Sequence, residues 1–344
     1  MPPTVLVVIS TQAHCAKWQS LFEVLGCEVV AAQSGEAALA IGPSVQPDLI
    51  LLSESLPDVP GPEVCRRLKT DPHCRLTPIV MVSVSRGLAD SGWAFGAGAD
   101  DLLEYAPSPW ESLHRIEALL RLKSFLDEQA EAALYSLSLS VEERYPHGKG
   151  HSARVSNHAV RLGASLGFNQ HDQECLRIAG LLHDIGKAAI PDAILQKPAA
   201  LDSEEVRIMQ KHPILGEQIC APVKSLRRVL PAIRHHHERL DGSGYPDGLR
   251  GDSIPLAARI LQVVDIFDAL TSDRPYRRGL PLPSALLVLF DEVECGKLDR
   301  VLVCQFSALM VGGKLTSPLE KRKCGISLGL EKQKSPDWLA RRLA

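Results

Sequence analysis

Histidine carries most of the chemistry in this sequence. Nine of the twelve histidines fall between His147 and His237, and carboxylates stand beside several of them. The pair His183-Asp184 closes the apolar run Leu181-Leu182 and is followed by Ile185-Gly186-Lys187. Upstream lies His151 in GHSARV; downstream lie His212 in MQKHPILG, the pair His236-His237 before Glu238, and Asp265 in LQVVDIFDAL. An imidazole and a carboxylate at the end of a buried helix can reach one cation, and the second carboxylate oxygen can bridge another. Two cations about 3.5–4 Å apart can clamp the attacking and leaving oxygens of a phosphate ester. A lone His-Asp dipeptide carries little weight, but His151, His183, Asp184, His212, His236, His237 and Asp265 together make a metal centre. The donors are all nitrogen and oxygen, which suits manganese, ferrous iron or zinc without choosing among them. His235 extends the pair to a triplet and reads as a neighbour rather than a ligand.

These residues need helices to position them. Five of the segments have helical spacing, and helices that project His and carboxylate inward are how a bundle builds a dinuclear core. Ahead of them the pattern differs. Residues 4–9 (TVLVVI), 27–32, 49–52, 79–84 and 101–103 are short β-branched or apolar runs that alternate with helical patterns. Such alternation predicts a parallel sheet covered on both faces. The fold class is therefore two domains, a doubly wound, flavodoxin-like α/β domain followed by an all-α domain. From Trp110 to Arg144 there is neither Pro nor Gly, and apolar residues recur at helical spacing, which predicts a connecting helix over 110–144. It either lies on its own domain or pairs with a second copy of the chain.

At 344 residues the chain has room for two cores; 45% hydrophobic and 23% charged residues are those of a globular protein. A formal net charge of -3 argues against a general nucleic-acid binder. No apolar run is long enough to span a bilayer and MPPTVLVVIS has no basic leader, so the expectation is a cytoplasmic protein without a membrane partner. The nine cysteines never form CxxC and read as reduced, packed thiols. Residues 314–344 carry eight basic and three acidic residues without periodicity, and read as a solvated, partly disordered tail.

The phrases PDLILLSESLPDVPG (47–61), TPIVMVSV (77–84) and GAGADDLLE (96–104) resemble the receiver domain of two-component response regulators, over residues 3–122. The resemblance implies an acidic pair after the first strand, a phosphoacceptor Asp and a Lys. Here Ile9 and Ser10, Ser53 and Tyr105 occupy those positions, while Ser83 matches the switch hydroxyl. One hydroxyl cannot replace a carboxylate cage for a hard cation. The domain is expected to be degenerate, with no phosphoacceptor, and to serve as a docking or dimerising module for a signalling partner. Asp58, Asp100 and Asp101 read as loop and cap residues.

Over residues 140–310 the segments GHSARV, LLHDIGKAAIPDAILQKP, EEVRIMQKHPILGEQI, IRHHHERLDGSGYPDGLRGDSIPLAARIL and VVDIFDALTSDRPYRR resemble the HD-GYP domain, a branch of the HD phosphohydrolases that hydrolyses cyclic di-GMP. Carried over residue by residue, the family's metal ligands fall on the seven positions named above and its catalytic lysine on Lys187. The signature triplet is Gly244, Tyr245 and Pro246, with Tyr245 lining the nucleotide pocket. Arg274 and Arg277 match the cationic pair that holds substrate phosphates, a task suited to bidentate guanidinium. Where trinuclear members carry a Glu four residues before the first His, this chain has His147, which implies two divalent metals, iron or manganese, rather than three. Near the end of the domain Gly296-Lys297-Leu298-Asp299-Arg300 departs from the family's GxxFDP.

The resemblance implies metal-dependent hydrolysis of cyclic di-GMP to pGpG and onward to GMP. Asp184 holds the metals, and Lys187, Arg274 and Arg277 offset charge on the phosphoryl oxygens. The alternatives are a phosphodiesterase for another cyclic dinucleotide and a non-catalytic cyclic-dinucleotide-binding signalling module.

Overall fold

The computed structural model describes residues 2–83, 92–104, 109–144, 150–273 and 278–312. Tyr105, His147, Arg274, Arg277 and the tail 314–344 lie outside them. The chain divides into two compact units, 1–130 and 131–344.

In the first unit the strands are β1 (Thr4–Val8), β2 (Glu28–Ala32), β3 (Leu49–Ser53), β4 (Ile79–Ser83) and β5 (Asp101–Glu104). The helices are α1 (Gln12–Val24), α2 (Gly35–Val45), α3 (Gly61–Thr70), α4 (Gly92–Gly96) and the long α5 (Pro109–Glu143). All pairings are parallel, in the order β2-β1-β3-β4-β5. The strand period of two divides each apolar run between two cores. Leu6, Val8, Ile50, Leu52, Ile79 and Met81 pack with Val64 and Leu68 of α3 on one face. Val5, Val7, Leu49, Leu51 and Val80 pack with Trp18 and Phe22 of α1 and Ile116 of α5 on the other. Burial on both faces explains why these strands are apolar throughout rather than alternating.

The second unit is helical: α6 (His151–Ser165), α7 (Gln170–Leu182), α8 (Asp192–Leu195), α9 (Ser203–Met209), α10 (His212–Cys220), α11 (Leu230–His235), α12 (Leu256–Thr271), α13 (Leu282–Glu294) and α14 (Arg300–Met310). A 3-10 turn at Ile185–Ala189 follows α7. Side-chain caps set several starts: Asn169 accepts from the Asp172 N–H, Asp202 and Glu205 form a capping box, and Asp299 accepts from the Val301 N–H. Every residue from Ile260 to Asp268 is buried, so α12 is the central helix, against which α6, α11, α13 and α14 pack. Among the described residues no helix is long and apolar enough to cross a membrane, and every described cysteine is a free thiol.

Candidate metal centre

The seven residues chosen from the sequence converge, although they come from five segments. His151 opens α6; His183 caps the C-terminus of α7 and Asp184 follows it. His212 opens α10, His236 caps the C-terminus of α11, and Asp265 projects from α12. They form two ligand groups, Asp184 with His212, His236 and His237, and His151 with His183 and Asp265. Asp184 faces both: its Oδ1 lies 3.3 Å from His212 Nε2, and its Oδ2 lies 3.6 Å from His183 Nε2 and 3.9 Å from His151 Nε2.

Glycine makes this convergence possible. At Gly186 a Cβ would lie 1.9 Å from the His212 carbonyl oxygen and 2.4 Å from the Gly216 nitrogen. The turn after Asp184 therefore sits directly on α10 and brings His212 to the carboxylate. The second case is Gly244, where a Cβ would meet the Arg239 nitrogen at 2.4 Å and Glu238 Cα at 2.5 Å. The loop that carries Tyr245 can thus lie flat on the backbone that follows His237.

Hydrogen bonds orient three of the imidazoles. His183, His212 and His236 each donate Nδ1–H to the carbonyl three residues earlier, of Gly180 (2.9 Å), Met209 (2.8 Å) and Ile233 (2.7 Å). That bond fixes the tautomer and leaves Nε2 as a lone pair. His212 Nε2 and His236 Nε2 then face each other at 3.3 Å. Two lone pairs at that distance repel unless a cation or a shared proton lies between them. His183 Nε2 and Asp184 Oδ1 are buried without a hydrogen-bond partner, which for such groups is costly unless an ion satisfies them. The donor set and its orphaned atoms fit a pair of divalent metals.

The electrostatics agree. Burial pushes His212 down to about 3 and His236 to about 4, so both imidazoles are neutral near pH 7. Burial likewise pushes His237 well below the usual range. Burial would raise Asp184, but the Lys187 ammonium and the surrounding imidazoles hold its carboxyl well below the carboxylate range. For His151, burial acts downward but hydrogen bonds to Asp265 and Asp268 outweigh it and raise the ring to about 10. Without a metal, a proton on His151 balances the carboxylates. Lys187 Nζ donates to Asp184 Oδ2 at 2.7 Å, which puts its charge at the edge of both groups.

The Tyr245 ring lies against two of these imidazoles, with centroids 4.8 Å from His237 and 6.4 Å from His212. Its loop hangs on Glu238, a fully buried carboxylate that accepts the N–H groups of Asp247 (2.7 Å) and Leu249 (3.0 Å). His235 does not join the imidazole cluster. It sits with Glu238 and Asp247, and Arg234 holds Asp247 at 2.8 and 2.9 Å.

Three supporting residues went unnoticed in the sequence. Besides Glu238, these are Asp268, 2.7 Å from His151 Nδ1, and Glu142 of α5. The Glu142 carboxylate accepts the N–H groups of Ser152 (2.6 Å) and Gly150 (3.1 Å), on either side of His151. Ser138, one turn earlier on α5, donates to the Leu181 carbonyl at 2.7 Å, two residues before His183. The one available sequence signal was Asp268 itself, three residues after Asp265 and so on the same helix face.

In the first unit Ser53 ends β3 and Ser83 ends β4. Ser53 Oγ donates to the Ser55 carbonyl at 3.1 Å and Ser83 Oγ to Glu54 at 2.7 Å. Asp58 accepts the N–H groups of Gly35 and Glu36 at the start of α2. Asp100 pairs with Lys69 at 2.6 Å, and Asp101 pairs with Arg115.

A five-stranded parallel domain followed by a helical histidine–aspartate centre defines a receiver coupled to an HD-type phosphohydrolase. Comparison with known proteins agrees. Residues 5–111 match the response regulator receiver domain model and residues 136–302 the HD domain model. A Xanthomonas campestris protein named cyclic di-GMP phosphodiesterase response regulator RpfG is 33% identical over 266 residues, covering 71% of this chain and 70% of its own. A cyclic di-GMP phosphodiesterase of Thermotoga maritima is 31% identical over 329 residues, covering 86% and 87%. The 3'3'-cGAMP-specific phosphodiesterase 3 of Vibrio cholerae is 42% identical over 166 residues, covering 47% of this chain and 35% of its own. The chain belongs to the HD-GYP family, with a receiver domain joined to an HD domain.

Proposed function

We propose that this protein is a metal-dependent phosphodiesterase that hydrolyses cyclic di-GMP to pGpG and onward to GMP. The observation that carries the reading is Asp184, whose two oxygens face two separate ligand groups. His212, His236 and His237 with Asp184 would hold one ion, and His151, His183 and Asp265 with the other Asp184 oxygen a second. Iron or manganese suits these donors. When bound, the metals supply a water of lowered pKa and neutralise charge on the phosphodiester.

The chain's own residues do the rest. Lys187 brings a positive charge to the rim of the centre, where charge on the phosphoryl oxygens builds during hydrolysis. Tyr245 gives a rigid ring beside His237 for the nucleotide to pack on. Arg274 and Arg277 would hold the substrate phosphates. The receiver-like unit would act without aspartyl phosphorylation, since Ser53 stands at the end of β3, and would dock a signalling partner. Leu122, Phe125 and Leu126 are exposed on one face of α5, which supports pairing with a second copy through that helix.

Cleavage of another cyclic dinucleotide is the second reading, supported by the 42% identity to a cGAMP-specific enzyme. Turnover of cyclic di-GMP and 3'3'-cGAMP by anaerobically purified protein loaded with manganese or ferrous iron separates the two. Preference for cyclic di-GMP with about two ions per chain is expected. Binding of either dinucleotide by metal-loaded protein without turnover would overturn the enzymatic reading in favour of a receptor.

A further inference from the structure

We propose that Asp268 is the positioning residue that makes His151 a metal ligand. The inference rests on the dinuclear reading above. His183, His212 and His236 orient themselves on the carbonyl three residues earlier. His183 and His236 can do so because each ends a helix, and His212 because it follows directly on the last turn of α9. His151 Nδ1 faces a side chain instead. It opens α6 after Gly150, whose φ of 74° lies in the left-handed region.

A carboxylate from the central helix takes over that role. Asp268 is 3% exposed, and its Oδ2 lies 2.7 Å from His151 Nδ1. A carboxylate only accepts, so Nδ1 carries the hydrogen. The opposite nitrogen, Nε2, lies 3.3 Å from Asp265 Oδ1. Asp265 is therefore a competing acceptor. With Asp268 gone, nothing would hold Nδ1–H, and the ring would be free to turn Nε2 out of the ligand position beside Asp265. Asp268 sets the orientation of the ring because its contact is the shorter of the two.

Arg154 fixes Asp268 in turn. Its Nε lies 2.6 Å from Oδ1 and its Nη2 3.0 Å from Oδ2. Nη2 also reaches Ser272 Oγ at 3.1 Å. This fork holds the carboxylate edge-on to the imidazole. Asp268 needs no contact with substrate: it acts through His151, and only on the ligand group that contains His151.

The test is a calorimetric manganese titration of the full chain with metal counted in the same samples. Wild type is expected to take two ions. In D268N the ion held by His151, His183 and Asp265 should weaken by about 10–100-fold, the usual cost of losing a ligand's orienting partner, while the other ion is unchanged. R154Q keeps the carboxylate but frees its orientation, and should weaken the same ion by several-fold less than D268N does, with the other ion unchanged. D268E keeps the charge and displaces the carboxylate by one methylene; a loss of about tenfold or less at the same ion is expected, and it serves if D268N does not fold. Wild-type affinity for both ions in D268N and D268E would overturn the proposal. So would equal losses in R154Q and D268N, which would reduce Asp268 to a tie between α6 and α12. A wild-type protein that binds no ion would instead remove the dinuclear reading itself.

Discussion

The ring of Tyr245 lies on the imidazole of His237, with centroids 4.8 Å apart and planes inclined by 34°. A residue of the signature loop thus packs on one of the candidate ligands. Replacing Tyr245 by Ala should lower kcat/KM by about tenfold, from the loss of a stacking surface, whereas Y245F should stay within about threefold. Steady-state kinetics with metal content held equal checks this.

Asp184 faces both ligand groups. D184A should therefore lose turnover and both ions together, and H183A should lose turnover with preferential loss of the ion in its own group. Metal counts and product chromatography on the two variants measure this. Turnover surviving in both would contradict the assignment. A strong chelator should lower the thermal midpoint of wild type and leave that of D184A unmoved, because an ion bound only to the folded state stabilises it.

Gly186 has no room for a side chain, since a Cβ would lie 1.9 Å from the His212 carbonyl oxygen. G186A should push α10 away from the turn at an overpacking cost of about 1–3 kcal/mol, a fall in thermal midpoint of about 3–10 °C. Because His212 rides on α10, the loss of metal should exceed that of a comparably destabilised variant remote from the centre.

Asp58 sets a pH dependence in the first unit. The backbone N–H groups of Glu36 and Gly35 hold its carboxyl down to about 2, from 3.8. The folded value lies below the unfolded one, so the stabilisation is present above about pH 4 and is lost as pH falls towards 2. D58A should start α2 less firmly at neutral pH and show a shallower decline over that window, as read by acid titration of circular dichroism.

Acetyl phosphate should leave the protein without an acyl phosphate, because a serine, Ser53, ends β3. A hydroxylamine-sensitive phosphoryl label on the first unit would refute this.

The seven candidate residues were legible because each sits inside a local phrase. The apolar run before His183 announces a buried helix end, and adjacent imidazole and carboxylate announce a cation. The sheet was legible for a similar reason, since β1, β3 and β4 are buried on both faces and read as unbroken apolar runs. Orienting partners are another matter. Asp268 and His151 are 117 residues apart, and Glu142 bonds the backbone of Ser152 from the end of the preceding helix. Neither bond leaves a periodicity, because a buried carboxylate is chosen by the groups that surround it in space. Glu238 was read only as the residue after a His pair, although its carboxylate holds the loop nine and eleven residues further on.

Ser138 and Glu142 stand one turn apart on α5 and therefore on one side of it. One is bonded just before His183-Asp184 and the other around His151. The helix thus works as a shared gauge for the two halves of the metal centre. A displacement of this turn of helix would reach the backbone beside both ligand groups at once.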